Sequence, residues 1–122
     1  RSRWSNVMRK SLLFVFGLLA LSATQISAKD IPVKFTKGSY CNSYSGAVSN
    51  LDAFSLYLTK GQTLTVNVND GEINKVLNPR NAKVSPLEEG VTGASYKVSQ
   101  SGKYRIFVSP DLKVADVEFC AY

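Results

Sequence analysis

From residue 29 onward, apolar and polar residues alternate in short runs, which is typical of β-strands with one buried face. The run 63–68 is the clearest, because every second side chain in it is apolar. No stretch of a dozen residues keeps the 3.6-residue period of an amphipathic helix. The pattern predicts eight short strands, at residues 33–37, 44–49, 51–58, 63–68, 73–77, 95–99, 104–108 and 114–122.

Turn-forming residues separate these runs. Asn69-Asp70-Gly71 predicts a hairpin, and the residues 78–81 break the strand before them. The segment 82–93 has no clear period and predicts a loop. Seven to eight short strands with frequent turns predict an all-β fold, either a single antiparallel β-sandwich or a small barrel, and we expect the sandwich over residues 29–122.

Residues 1–28 have the pattern of a signal peptide. Two basic residues, Arg9 and Lys10, precede an apolar run at 12–23, and the segment ends in Ile26-Ser27-Ala28. Met8 is a candidate start, which makes the residues before it an upstream extension. The apolar run is shorter than the ~20 residues that span a bilayer, although an uncleaved membrane anchor is the alternative. We therefore expect a periplasmic or secreted protein with no stable membrane anchor after cleavage.

The positive charge of the chain comes largely from this leader. The chain of 122 residues has 15 basic and nine acidic residues, a formal net charge of +6. Four of the basic residues lie within 1–28, so residues 29–122 hold 11 basic and nine acidic residues, about +2. Nucleic-acid binding needs a dense basic face, and this charge argues against it.

Two cysteines, Cys41 and Cys120, lie near the two ends of the predicted domain. An even number of cysteines in an exported chain predicts a disulfide, with two free thiols as the alternative. A bridge closing so long a loop contributes roughly 4–5 kcal/mol in the chain-entropy model.

The chain contains no histidine, which excludes serine–histidine and cysteine–histidine nucleophiles and histidine-ligated metals. Glu88-Glu89 is the obvious carboxylate pair, but adjacent residues usually point apart, so we interpret it as a solvated surface pair. Part of a calcium-loop pattern is present at Asn67, Asn69, Asp70 and Glu72, but the spacing does not complete a ligand set. We predict no enzyme, no catalytic residue, no metal site and no cofactor.

The tetrapeptide Ser101-Gly102-Lys103-Tyr104, followed by Arg105, is the main candidate for a binding site. If a regular strand begins near Gly102, Lys103 and Arg105 share one face and Tyr104 enters the core. If the turn is longer, Ser101 and Tyr104 both project from its tip. The periodicity favours the first possibility, and the second stays open.

Four stretches of the domain resemble the periplasmic inhibitors of invertebrate-type and goose-type lysozymes. They read VKFTKG at 33–38, YSG at 44–46, FSLYLTKGQTLTV at 54–66 and SGKYRIFV at 101–108. The resemblance implies an exported inhibitor whose partner is one of these lysozymes. It also implies that a Ser-Gly-x-Tyr loop enters the cleft of the enzyme. The implied inhibitory loop consists of Ser101, Gly102, Lys103, Tyr104 and Arg105. The resemblance implies that Ser101 and Tyr104 are its contacting side chains.

A non-catalytic binding module is the alternative function. Such a module would recognise a carbohydrate or a cell-envelope protein through Tyr40, Tyr44 and Tyr57, since aromatic faces can stack on ligands. The exposure of Tyr104 distinguishes the two functions, because an inhibitory tip needs an exposed phenol. The sequence also allows a homodimer.

Overall fold

A computed structural model of the chain describes residues 28–122 and contains nine β-strands within them. The predicted leader falls almost wholly outside the described residues. Between 28 and 122 there is no helix with the length and apolarity to cross a membrane. The strands are β1 (Asp30–Pro32), β2 (Cys41–Ala47), β3 (Ala53–Leu58), β4 (Thr63–Asn69), β5 (Gly71–Leu77), β6 (Glu88–Glu89), β7 (Gly93–Lys97), β8 (Gly102–Pro110) and β9 (Val114–Ala121).

The strands form two sheets around one core. One sheet has the order β1-β3-β8-β5 and the other the order β2-β9-β4-β7-β6. Every strand pair is antiparallel except β1–β3, which is parallel. The prediction of an all-β sandwich is confirmed, with nine strands where the pattern predicts seven to eight.

The chain passes from one sheet to the other at almost every connection. Among the described strands, only β6 and β7 are consecutive in sequence and paired in the same sheet. The hairpin predicted at Asn69-Asp70-Gly71 is therefore wrong: β4 and β5 lie in different sheets, and Asp70, with a φ of 61°, turns the chain between them. A local turn signal specifies a reversal of the chain, but not the sheet that receives the next strand.

The core lies between the sheets and is built from the predicted alternation. Phe54 of β3 and Phe119 of β9 face each other from the two sheets, with ring centroids 5.1 Å apart. Burying an apolar side chain of this size contributes about 1.5–3 kcal/mol. Strand β4 supplies Leu64, Val66 and Val68 to the core, and β9 supplies Ala115, Val117, Phe119 and Ala121, as the sequence predicts.

The predicted strand 33–37 is wrong. These residues are irregular and connect β1 in one sheet to β2 in the other. Val33 still donates its backbone N–H to Ser55 O at 2.8 Å, and Val33 and Phe35 pack against the core, which explains the strand-like pattern. The predicted loop 82–93 is confirmed apart from the two-residue edge strand β6 and Gly93, which begins β7.

The predicted disulfide between Cys41 and Cys120 is confirmed. The two residues are direct partners in the β2–β9 pair, with an S–S distance of 2.06 Å and a Cα–Cα distance of 4.1 Å. The bridge joins the first strand of its sheet to the last strand of the chain, 79 residues away. It therefore ties the start of the domain to its end.

Candidate functional site

Ser101 lies on the connection 98–101, which carries the chain from β7 in one sheet to β8 in the other. It is therefore not the tip of a hairpin. The strand directions place this connection at the same end of the sandwich as the connections 59–62 and 78–82. We call these three connections together the Ser101 end.

Two of these connections are joined by hydrogen bonds. Lys60 N donates to the hydroxyl oxygen of Ser101 at 2.8 Å, and Gly61 N donates to Val98 O at 2.9 Å. A serine hydroxyl has one donor and two acceptor positions, so Ser101 can accept from Lys60 and still donate to an external carboxylate. The side chain is exposed. The fold thus holds the Ser101 oxygen in place while leaving it accessible.

The backbone conformation and the space around residue 102 both favour glycine. Its φ is +146°, and a Cβ added there would lie 2.7 Å from Cγ of Pro79. Side chains rarely adopt this backbone conformation, and the contact with Pro79 leaves no room for one. Gly102 therefore brings the Ser101 connection against the 78–82 connection.

Tyr104 is buried in the core, with 2% of its surface exposed. Strand β8 begins at Gly102, so strict alternation turns Tyr104 inward, where it pairs with Leu56 of β3. Its hydroxyl donates to Gln100 O at 2.8 Å. The regular-strand alternative is therefore confirmed, and the exposed Tyr104 that the resemblance implies is wrong. Its phenol instead holds the connection to Ser101 from inside the sandwich.

Lys103 and Arg105 share the outer face of the sheet that contains β8, as a regular strand requires. Lys103 Nζ lies 3.2 Å from a carboxylate oxygen of Asp30, and Arg105 donates to the side-chain oxygen of Asn81. The hydroxyl of Ser55 also donates to Asp30. This hydrogen bond, followed by the contact with Lys103, holds the pKa of Asp30 below its usual value despite the opposing effect of burial. Asp30 therefore neutralises part of the charge of Lys103.

The two ends of the sandwich differ in charge. Three connections at the opposite end contain an acidic residue each, Asp52, Asp70 and Asp111, with the cation Lys113. Lys29 also lies at that end, bound to Asp52. Within 28–122, the connections of the Ser101 end and the adjoining segment 33–40 contain no acidic residue. The net charge of the domain is small and does not show this difference. The difference between the ends is found only once the topology shows which connections lie at the same end. The cations of these segments are Lys34, Lys37, Lys60 and Arg80.

The three candidate tyrosines do not form one platform. Tyr40 is exposed and packs against Tyr122, with ring centroids 5.7 Å apart. Tyr44 packs edge-on against core Phe54 at 5.1 Å. Tyr57 is 78% exposed and lies on the outer face of the other sheet, opposite Lys103.

The two carboxylates of the candidate pair lie at the surface. Glu88 and Glu89 are exposed on edge strand β6. Between residues 28 and 122, no three His, Cys, Asp or Glu side chains are grouped closely enough to hold a metal ion. Asp70, part of the incomplete calcium pattern, forms the turn between sheets.

Comparison with known proteins finds likeness in structure. No protein-family model and no curated protein matches the chain. Aeromonas hydrophila PliG, a periplasmic lysozyme inhibitor of g-type lysozyme, is 19% identical, with a TM-score of 0.65 over 79% of this chain and 98% of that one. A mutant of the Escherichia coli protein, PliG-Ec, described in the same way, is 25% identical, with a TM-score of 0.62 over 79% and 100%.

A third structure, Salmonella Typhimurium PliG, carries the same description. It is 22% identical, with a TM-score of 0.59 over 79% of this chain and 100% of that chain. At these identities the likeness is one of fold, and it extends over nearly the whole length of each neighbour. The structural likeness thus supports the resemblance seen in the sequence, and all three neighbours are inhibitors of goose-type lysozyme. The chain shares the fold of the periplasmic inhibitors of goose-type lysozyme.

Proposed function

We propose that this protein is an exported, periplasmic inhibitor of goose-type lysozyme that binds the enzyme through the Ser101 end. The observation that carries the proposal is the shared fold, which covers 98–100% of three inhibitors described as acting on that enzyme. The neighbours favour the goose-type enzyme over the invertebrate-type enzyme that the sequence resemblance also allows.

The chemistry of the Ser101 end suits a lysozyme cleft. Enzymes that hydrolyse glycosidic bonds carry carboxyl groups that flank the bond to be broken. The Ser101 hydroxyl can donate to such a carboxylate, and the nearby Lys60 and Arg80 are exposed cations with no acidic residue on the same connections. Each hydrogen bond to a charged group contributes roughly 1.5–3 kcal/mol. A few such bonds, formed without reordering the connections, support inhibition.

The five residues of the implied inhibitory loop take different roles in this proposal. Ser101 makes the contact, and Gly102 allows the backbone to approach. Lys103 and Arg105 lie half-buried beside the loop and add positive charge. Tyr104 supports the loop through its bond to Gln100 O and does not touch the enzyme.

Inhibition assays test the function directly. We expect the chain 29–122, titrated against goose-type, invertebrate-type and chicken-type lysozymes, to inhibit the goose-type enzyme. Full activity of all three enzymes at a saturating amount of the protein would end the proposal.

Charge reversal tests the surface. We expect Lys60→Glu combined with Arg80→Glu to weaken inhibition at least about tenfold, or 1.4 kcal/mol. Lys113→Glu, at the opposite end, is the matched control and should leave potency within about twofold, because exposed substitutions outside the contact have small effects. Equal potency of the double variant, or an equal loss in the control, would place the contact elsewhere.

The burial of Tyr104 is the outcome expected for the alternative, a binding module, and counts against an inhibitory tip formed by its phenol. The three tyrosines proposed for that module, however, lack a common surface. Tyr44 is packed into the core edge and Tyr57 lies on the other sheet from Tyr40, so stacking on one glycan would not engage all three. A homodimer is not needed for inhibition, and sedimentation of the chain 29–122 would detect one.

A further inference from the structure

Asp52 is a buried carboxylate at the end of the sandwich opposite Ser101. It is 1% exposed and is the one buried charged side chain within residues 28–122. Its two oxygens accept hydrogen bonds from backbone N–H groups, Oδ1 from Lys29 at 2.9 Å and Oδ2 from Ser49 at 3.0 Å. Buried carboxylates are usually paired with a positive charge, and neither of these backbone donors carries one in an uncut chain.

Lys29 is held by the fold on both sides. Its N–H binds Asp52, and its carbonyl oxygen accepts the N–H of Ala53 at 2.9 Å. The preceding residue, Ala28, is exposed. Ala28 also ends the leader-like segment, where a small residue precedes the bond that is cut. The fold and the leader pattern thus meet at the same peptide bond.

We propose that the Ala28–Lys29 bond is the processing site of this chain and that Asp52 is the receptor for the α-ammonium group that processing creates. A leader-removing endopeptidase hydrolyses the bond with one water molecule. The hydroxyl of that water joins the carbonyl carbon of Ala28, which leaves as a carboxylate, and the Lys29 nitrogen keeps the electrons of the broken bond and gains a proton. At neutral pH a second proton makes it an ammonium, because the ordinary pKa of an α-amine is about 7.7–8.0.

Processing then changes the charge of a donor that is already in place. A nitrogen 2.9 Å from Asp52 Oδ1 changes from a neutral amide to a cation. The amide N–H already donates to an ionised carboxylate, and processing adds the attraction between two opposite charges at this distance. The fold therefore reaches its full stability only after the leader has been removed.

The surroundings of Asp52 favour this pairing. Burial opposes its ionisation, but the N–H groups of Ser49 and Lys29 and the charge of Lys29 hold its pKa below the usual value. The carboxylate is therefore ionised at neutral pH. Asp30, the neighbouring acid, is already bound to a cation at 3.2 Å and competes little for the α-ammonium. The other charged side chains on the elements packed around the pair are Lys103, Arg105 and Lys113.

The first experiment determines the mature N-terminus. The full chain is expressed in a bacterium with a periplasm, the exported protein is purified, and its intact mass is measured. We expect a chain that begins at Lys29. A chain that begins at any other residue overturns the processing site, and this outcome is independent of lysozyme inhibition.

The second experiment measures the reactivity of the α-amine. The chain 29–122 is treated with an acetylating ester at pH 7.5, and peptide mass spectrometry separates the α-amine from the lysine side chains. We expect the α-amine to react about tenfold more slowly in the native protein than in Asp52→Asn, because the carboxylate keeps it protonated. Asp111→Asn, an exposed acid at the same end, is the control and should match the native protein. Equal rates in the native protein and Asp52→Asn overturn the receptor role.

A titration of the native protein keeps the proposal testable if Asp52→Asn does not fold. We expect ¹⁵N NMR of the α-amine in the chain 29–122 to give a pKa above about 8.0. We also expect this chain to unfold at a higher urea concentration than the same chain acetylated at its α-amine. An ordinary or lowered pKa, or equal unfolding midpoints, overturns the role of Asp52.

Discussion

Replacement of Tyr104 by phenylalanine separates support of the Ser101 connection from direct contact with an enzyme. The change keeps the ring in the core and removes the hydroxyl that donates to Gln100 O at 2.8 Å. A hydrogen bond of this kind contributes about 0.5–1.5 kcal/mol, and a carbonyl left without a partner in the interior costs about 1–3 kcal/mol. Gln100 is half-buried, so water reaches its carbonyl in part, and we expect a loss near 1 kcal/mol.

Thermal unfolding and an inhibition titration measure the two effects separately. For a domain of this size, about 1 kcal/mol lowers the Tm by about 4–8 °C. Tyr57→Phe is the matched control, because Tyr57 is 78% exposed and its substitution should change stability by less than about 0.5 kcal/mol. At 25 °C, where the folded state dominates, we expect Tyr104→Phe to inhibit goose-type lysozyme within about threefold of the native protein, since the bonds to Lys60 and Gly61 still hold the connection.

Two results would refute this reasoning. A potency loss of about tenfold with an unchanged Tm would mean that the phenol itself contacts the enzyme. An unchanged Tm with unchanged potency would mean that the bond to Gln100 supports nothing.

Two further predictions concern stability and titration. Replacing both Cys41 and Cys120 by serine should lower the free energy of unfolding by up to about 4.5 kcal/mol, the chain-entropy value for a closed loop of 79 residues. Equal urea midpoints for the native protein and the double variant would contradict this prediction. The hydroxyl of Ser55 and the ammonium of Lys103 lower the pKa of Asp30, so its contribution to stability is present above the unfolded pKa of about 3.9 and is lost as the pH falls through the lower folded value. Lys103→Ala should raise the pKa of Asp30 measured by ¹³C NMR, and an unchanged value would show that the pairing does not act on it.

The alternation of residues was sufficient to predict the fold class and most strands. Strands β4 and β9 match their predicted bounds within a residue or two, because every second side chain must be apolar when one face of a strand is buried. The disulfide was also predicted from the sequence, since the two cysteines of a chain with a leader-like segment have one intramolecular pairing available.

The candidate site was predictable only in part. Its residues stood out in the sequence, and the regular-strand alternative correctly turned Lys103 and Arg105 outward. The start of β8 at Gly102 decided the position of Tyr104, and a shift of one residue would have turned it to solvent. A sequence pattern cannot locate that start, because the contact of Gly102 with Pro79 that accompanies it joins residues 23 positions apart.

The sequence by itself determined the β-strand pattern and the absence of histidine chemistry, and it predicted a disulfide-linked β-sandwich. Only the tertiary structure decided which connections lie together. Turn signals are local, whereas the sheet that a strand joins depends on partners far along the chain. The two strands that flank Asp70 show this, because β4 pairs with β7 and β9 whereas β5 pairs with β8. The basic Ser101 end and the Asp52 receptor exist because the folded chain brings these distant segments to opposite ends of one sandwich.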